Sequence, residues 1–81
     1  MKFFIMLVVS LELLLASIDI NTANVNELSS LKGIGTSKAK SIIAYRELHC
    51  FKDINELSNV KGIGSKTIEK NKVNITVSEC K

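Results

Sequence analysis

The sequence predicts an all-α domain made of two similar halves, each a pair of short helices joined by a tight turn. One observation behind this prediction is the string Lys-Gly-Ile-Gly, which stands at residues 32–35 and again at residues 61–64. The other is that Asn-Glu-Leu-Ser precedes both copies at the same distance, so that matching positions lie 29 residues apart (62 − 33 = 29). Self-similarity at a fixed period is typical of a repeated supersecondary unit. The two units are expected at about residues 24–47 and 53–77.

The N-terminal segment, residues 1–17, has the features of a secretory signal peptide. Lys2 is followed by an apolar run that ends in the small residues Ala16 and Ser17, which is the order of regions in such leaders. The run is shorter than the about 20 residues that a membrane span needs. We therefore expect residues 18–81 to form the domain of a periplasmic or secreted protein. Glu12 interrupts the run, and an uncleaved membrane anchor or a buried N-terminal helix of the domain stays open as an alternative.

The first helix of each unit is predicted from its capping residues. Asn24 and Asp53 are both good N-caps, and each is followed three residues later by a glutamate, Glu27 or Glu56. This spacing predicts a capping box, in which the cap side chain accepts a backbone N–H and the glutamate accepts the N–H of the cap residue. Each helix is expected to end near its Lys-Gly pair, since glycine tolerates the left-handed conformation of a helix exit.

The second helix of each unit follows its turn directly. In the first unit it is expected at residues 36–47, where apolar residues including Ile42 and Ile43 recur at helical spacing. In the second unit it is expected at residues 65–72 or beyond, but Asn71 stands where the first unit has Ile42. The second helix is therefore predicted to have a thinner apolar face and to end early or bend, which makes its unit the less stable of the two.

The other apolar residues complete a single core. Residues 73–77 are β-branched and alternating, which predicts an extended segment that closes over the core. Phe51 lies in the short connector between the units and is expected to fill the core, and Tyr45 on the long helix is expected to pack into the core. The predicted apolar set is Ile20, Val25, Leu28, Leu31, Ile34, Ala39, Ile42, Ile43, Leu57, Val60, Ile63 and Ile68.

Two cysteines, Cys50 and Cys80, are the only ones in the chain. An even number in a small exported domain favours a disulfide, and two unpaired thiols are the alternative. Together with the single histidine, His49, they cannot supply the four ligands of a structural zinc site. The sequence also has no acidic pair at a plausible site and no activated nucleophile, so we expect no catalytic residues, no metal, no cofactor and no enzymatic activity.

Positive charge is concentrated at the two turns. Residues 18–81 carry ten basic and seven acidic side chains (10 − 7 = +3). Residues 32–40 hold three lysines and no acid, and residues 61–72 hold four lysines and one acid. The excess is modest, but its position predicts an anionic partner at the turns.

A glycine turn that opens a helix can bind phosphate with its backbone amides. The first N–H groups of a helix have no partner within it, the helix dipole favours an anion there, and glycine lets the anion approach closely. Such contacts read the backbone of DNA and not its bases. A single Gly-x-Gly is a weak signal, but two copies in register are much stronger. The predicted DNA-binding residues are Lys32, Gly33, Ile34, Gly35, Thr36, Ser37, Lys38, Lys61, Gly62, Ile63, Gly64, Ser65 and Lys66.

Residues 18–77 resemble the tandem helix-hairpin-helix domain of the ComEA-like competence proteins. The resemblance implies two helix-hairpin-helix units in one compact domain and an exported or membrane-tethered protein. It further implies non-sequence-specific binding of double-stranded DNA for uptake in natural transformation, with membrane uptake machinery as a possible partner. Lys32 replaces a proline that is usual in the family, and Asn71 replaces an apolar residue. The residues that carry the resemblance are Ile20-Asn21-Thr22-Ala23, Glu27-Leu28, Leu31, Gly33-Ile34-Gly35, Ala39, Ile42-Ile43, Tyr45-Arg46, Phe51, Leu57 and Val60-Lys61-Gly62-Ile63-Gly64.

A protein-docking or structural subunit is the alternative function. The repeat also resembles that of the extrinsic photosystem II subunit PsbU, which docks to protein and not to DNA. A net charge of only +3 is compatible with this alternative.

Overall fold

The computed structural model describes residues 17–80 as seven short elements around one core. The predicted leader, residues 1–17, therefore lies outside the described residues except for Ser17. Two segments of strand lie at the ends of the described chain, and helices fill the region between them. In chain order the elements are β1 (Ile18–Asp19), α1 (Val25–Ser29), α2 (Thr36–Leu48), a first 3₁₀ helix (Ile54–Asn59), α3 (Ser65–Asn71), a second 3₁₀ helix (Lys72–Asn74) and β2 (Ile75–Thr76).

Helix α1 begins with the predicted capping box. The Glu27 N–H donates to Asn24 Oδ1 at 2.8 Å, and the Asn24 N–H donates to Glu27 Oε1 at 2.9 Å. Two N–H groups that the helix itself leaves without a partner are thereby satisfied, which fixes the start of α1. The prediction for the first unit is confirmed.

The matching capping box in the second unit does not form, and the prediction there is wrong in detail. Asp53 does cap its helix, but its Oδ1 accepts the Asn55 N–H at 2.7 Å, only two residues on. Glu56 Oε1 accepts the Lys52 N–H at 3.4 Å instead of the Asp53 N–H. A cap that bonds two residues ahead favours a tight first turn, and the element is a 3₁₀ helix and not an α-helix.

The two longer helices differ in length as the repeat pattern predicts. Helix α2 has 13 residues and buries Ala39 and Ile42. Helix α3 has seven residues and passes into a 3₁₀ turn at Lys72. The early end of the second helix is confirmed. Asn71 is buried at the end of α3, 3% exposed, where the repeat places Ile42 in α2.

The core is a single cluster to which both units contribute. Ten of the twelve predicted residues are buried, whereas Val25 and Ile43 are only partly buried at its margin. Phe51 is fully buried, as predicted, and stacks on Tyr45 with ring centroids 5.0 Å apart. Ala23 and Ile75 complete the core beyond the predicted set. The mostly helical, compact fold confirms the all-α prediction.

A short parallel strand pair joins the two ends of the domain. Ile18 lies opposite Ile75 in β1 and β2, and the Ile20 N–H donates to the Thr76 carbonyl at 3.0 Å. The extended tail at residues 73–77 is thus confirmed over Ile75–Thr76, but its pairing with β1 is not part of the sequence prediction. Two residues per strand are too few to read from a sequence pattern, because alternation over two positions carries no information.

Asn21 fastens the connector between the units to both ends of the domain. Its Oδ1 accepts the Phe51 N–H at 3.0 Å, and its Nδ2 donates to the carbonyls of Phe51 at 2.8 Å and Ser78 at 3.1 Å. A disulfide between Cys50 and Cys80, with Cα atoms 5.8 Å apart, links the same two segments covalently. Within residues 17–80, no helix combines the length and the apolar character that crossing a membrane requires.

Candidate nucleic-acid interface

The two glycine turns, residues 32–35 and 61–64, have the same backbone conformation. Gly33 has φ +76° and Gly62 has φ +92°, a left-handed region that costs other residues about 1–2 kcal/mol. After each of these glycines an isoleucine N–H closes the turn: Ile34 donates to the Leu31 carbonyl and Ile63 to the Val60 carbonyl, both at 3.1 Å. The repeat in sequence is therefore a repeat in structure.

Each turn is anchored by the isoleucine between its glycines. Ile34 is 2% exposed and Ile63 is 4% exposed. Their side chains belong to the core, so these two predicted site residues have only their backbone groups to offer a ligand. Because the middle of each turn is held from inside, the glycines on either side stay exposed at the surface.

The second glycine of each turn leaves a helix N-terminus open. Gly35 is the N-cap of α2 and Gly64 is the N-cap of α3, and neither helix has a side-chain cap. A Cβ built on either glycine would meet no atom within 4 Å. The first helical bonds are made by Ala39 to Gly35 and by Ile68 to Gly64. The N–H groups of the three residues after each N-cap are left for an external acceptor.

The hydroxyl residues predicted for the site lie at these open N-termini. Thr36, Ser37 and Ser65 are exposed, as is Lys66 in the first turn of α3. Lys32 and Lys61 are exposed at the start of the two glycine turns. Positive side chains therefore flank both rows of backbone N–H groups, an arrangement that attracts an anion electrostatically and then offers it hydrogen bonds.

Lys38 lies between the two turns. Its Nζ donates to the Gly33 carbonyl at 3.2 Å, while its methylene groups come within 3.4–3.9 Å of the position of a Cβ on Gly62. One lysine side chain therefore contacts both turns. The sequence places Lys38 beside the first turn only, and its contact with the second turn is a new finding.

Thr67 makes the matching contact in the other direction. It is the repeat equivalent of Lys38 (38 + 29 = 67), and its side chain lies 3.6–3.7 Å from the position of a Cβ on Gly33. Each glycine turn is thus packed against the longer helix of the other unit. This exchange of contacts makes one composite surface from the two turns.

Asn71 holds the first turn through its backbone. The Lys32 N–H donates to Asn71 Oδ1 at 2.9 Å, and Asn71 Nδ2 donates to the carbonyls of Lys32 and Thr67, each at 2.8 Å. The sequence pattern marks Asn71 as a break in the apolar face and predicts a weakness there. Its position beside Lys32, the residue before Gly33, cannot be read from the sequence.

The described residues contain no cluster of metal ligands. Between residues 17 and 80, no group of three or more His, Cys, Asp or Glu side chains is arranged to hold a metal ion. The chemistry that the surface offers is that of its backbone N–H groups, hydroxyls and lysines.

Two pairs of helical segments, each joined by a glycine turn with a buried isoleucine, define a tandem helix-hairpin-helix domain. The chain matches the family model described as "Helix-hairpin-helix motif" over residues 16–76, and it belongs to this family. It is also similar to ComE operon protein 1 of Bacillus subtilis (strain 168), with 49% identity over 63 residues. The match covers 76% of this chain and 31% of that relative, so the chain spans about a third of the relative's length. The resemblance to ComEA-like proteins is confirmed.

Proposed function

We propose that this domain binds double-stranded DNA through its phosphate backbone, without sequence preference. The observation that carries the proposal is the placement of two equivalent glycine turns side by side, with Lys38 in contact with both. Two neighbouring anion sites match a ligand that presents phosphates at regular intervals, and duplex DNA does so on two strands. A single free anion would need only one of them.

The chemistry of the surface supports backbone recognition over base recognition. The groups that it offers are exposed backbone N–H groups, hydroxyls and lysines, which are the usual partners of phosphate oxygens. Base readout in the major groove is the work of an α-helix or a β-ribbon that enters the groove with side chains directed at base edges. The expected binding is therefore tolerant of sequence and strongly weakened by salt.

The wider role that we propose is DNA uptake during natural transformation. The similarity to ComE operon protein 1 supports a place in competence, as the ComEA-like resemblance implies. The N-terminal pattern of residues 1–17 supports export, with the DNA-binding domain in the periplasm or outside the cell. Membrane-embedded uptake machinery would then be the partner that receives the bound DNA. In this proposal the domain acts as a binding module and not as an enzyme.

Fluorescence anisotropy with two unrelated labelled duplexes of equal length tests the DNA-binding proposal. We expect equal affinity for both duplexes, and an affinity that falls steeply as salt is raised from 50 to about 200 mM. A folded protein that leaves both duplexes unbound at the lowest salt would contradict the proposal. A strong preference for one sequence would contradict backbone recognition.

Deletion of the gene in a naturally transformable host tests the wider role. Transformation frequency should fall, and it should be restored by the intact gene but not by one that encodes turn variants. Intact mass of the exported protein would show whether residues 1–17 are removed.

A further inference from the structure

Asn71 is a polar residue at a position that the repeat assigns to the core. Its repeat equivalent is Ile42 (42 + 29 = 71), which is fully buried. Asn71 is itself only 3% exposed, and burial of an amide is costly unless its hydrogen bonds are made. All of its polar atoms have partners: Oδ1 accepts from Lys32, and Nδ2 donates to Lys32 and Thr67. An apolar side chain would fill this space without such requirements. What the amide adds is a pair of hydrogen bonds to the backbone of Lys32.

These hydrogen bonds hold the first residue of the first glycine turn, residues 32–35. Asn71 bonds both the N–H and the carbonyl of Lys32, the residue immediately before Gly33. Gly33 turns the chain at φ +76° toward Gly35, where the open N-terminus of α2 begins. Fixing both peptide groups of Lys32 fixes the direction in which the chain enters this turn. The amide therefore sets the orientation of the N–H groups that follow.

The second glycine turn, residues 61–64, has no equivalent of this device. The residue that would hold Lys61 in the same way is Ile42, whose side chain cannot hydrogen-bond. Where the first turn has the amide of Asn71 on Lys32, the second has the stem of Lys38 beside Gly62. The two turns thus share one conformation but are held by different interactions.

We propose that Asn71 is a positioning residue for phosphate binding, through which the second unit pre-orders the first glycine turn. The inference rests on the proposed function, since it assumes that the turn binds phosphate. A site that is already in its bound geometry binds without an ordering cost, and this raises its affinity. The first turn is then the pre-ordered half of the surface, and Asn71 acts on DNA only through Lys32.

The wild-type protein offers a test that needs no substitution. The Lys32 N–H belongs to an exposed residue, yet its bond to Asn71 Oδ1 should protect it from hydrogen exchange. Amide exchange followed by NMR should show a Lys32 amide that is markedly slower than the amides of Thr36 and Ser37 at the open N-terminus of α2. A Lys32 amide that exchanges as fast as those two would overturn the inference.

The decisive variant is Asn71→Leu, which removes the three hydrogen bonds and keeps an apolar side chain of similar size, as in Ile42. Asn21→Leu is the matched control, because Asn21 makes the same kind of three-bond clamp on Phe51 and Ser78, in the connector and tail. Both variants should lose stability. Only Asn71→Leu should lose protection at Lys32 while the amide of Ile42 stays protected.

The readout for binding is the affinity for a random duplex at a fixed low salt, corrected to the folded fraction. We expect Asn71→Leu to bind about tenfold more weakly, which corresponds to an ordering cost of about 1.4 kcal/mol that the first turn would then meet on binding. Asn21→Leu should bind like the wild type. Equal binding by folded Asn71→Leu and Asn21→Leu would overturn the inference. If the wild type itself binds no duplex, the proposed function fails, whereas the Lys32 exchange result still decides whether Asn71 orders the turn.

Discussion

The side chain of Lys38 lies across Gly62, with its Cε 3.4 Å from the position that a Cβ on this glycine would occupy. The same side chain reaches the Gly33 carbonyl with its Nζ at 3.2 Å. A lysine of the first unit therefore packs against the glycine turn of the second. This contact joins the two glycine turns into one surface, while the left-handed φ of +92° is what requires a glycine at position 62.

Gly62→Ala should destabilise the domain by about 1–2 kcal/mol. The left-handed φ of +92° costs an alanine about that much, whereas the new Cβ would meet the stem of Lys38 only at ordinary contact distance, 3.4–3.9 Å. Urea unfolding followed by circular dichroism measures the loss. An unchanged unfolding midpoint would contradict the conformation described for this turn.

Gly35→Ser should separate binding from stability. Gly35 has an extended N-cap conformation, φ −62° and ψ −175°, and a Cβ there meets nothing within 4 Å. Serine is a preferred N-cap whose hydroxyl accepts one of the free N–H groups of the helix. The variant should therefore be as stable as the wild type or slightly more stable. It should bind duplex DNA more weakly, because the new side chain occupies the approach to N–H groups that would otherwise meet a phosphate.

The equivalent variant in the second unit is the comparison for Gly35→Ser. Gly64→Ser makes the same change at the N-cap of α3, where a Cβ also meets nothing within 4 Å. Comparison of the two variants in the anisotropy assay shows how much each turn contributes. Undiminished binding by both variants, with folding intact, would exclude these helix N-termini as the DNA contacts.

Most of the fold could be predicted because the repeat gives every local signal twice. The capping box at Asn24, the two glycine turns and the apolar face of α2 are local patterns, and the structure contains each of them. The signals of the second unit predict its structure less well than those of the first. Asp53 and Glu56 have the residue types of a capping box, but their side chains bond Asn55 and Lys52 instead, a choice that depends on local geometry.

What could not be predicted are the contacts between the units. The partner of Asn71 is Lys32, 39 residues away, and the partner of Lys38 in the second turn is Gly62. No periodicity links these positions, because they meet only when the two units are packed together. The pairing of Ile18 with Ile75 is of the same kind. The sequence identifies Asn71 as a break in an apolar face, but its hydrogen-bond partners become visible only in the folded domain.

Lysines at the turns should set the salt dependence of binding. Lys32→Ala and Lys61→Ala should each weaken binding to any duplex by a similar factor. Each should also make the slope of log affinity against log salt shallower by about 0.9 for every phosphate that the variant no longer neutralises. Lys52→Ala is the control, since Lys52 is an exposed lysine in the connector beside Phe51 and belongs to neither glycine turn. A Lys52 variant that changes the slope as much as the others would mean that charge in general, and not the turns, drives binding.

The disulfide between Cys50 and Cys80 should carry a large part of the stability of this small domain. It closes a loop of 30 residues, and a cross-link of that size contributes about 3–4 kcal/mol. Reduction should lower the free energy of unfolding by a corresponding amount, and the urea midpoint should fall with it. The Cys50→Ser/Cys80→Ser double variant should unfold like the reduced wild type, with or without reductant. Equal midpoints for the oxidised and reduced wild type would show that the bridge does not form in the protein.

Asp19 should make the domain sensitive to acid. Burial raises the pKa of its carboxyl group, but backbone N–H donors from Asn21 and Ser78 and hydroxyl donors from Ser78 and Thr22 lower it, and the net pKa lies below the ordinary 3.8. The distances to the two backbone donors are 2.9 Å and 3.2 Å. A pKa that is lower in the folded state means that the ionised form stabilises the fold. The contribution is complete above the unfolded pKa and is lost as pH falls through the folded one.

Asp19→Asn isolates this contribution, because asparagine keeps the shape and one acceptor oxygen but carries no charge. At pH 7 the variant should be less stable than the wild type in urea. As the pH falls below about 4, the wild type should lose stability faster than the variant, so the two unfolding midpoints converge. The hydrogen bonds at stake include one that joins β1 to the tail at Ser78, and the amides of Asn21 and Ser78, which donate to this carboxyl group, should lose exchange protection first. Midpoints that stay equally far apart from pH 7 to pH 2.5 would contradict a lowered pKa at Asp19.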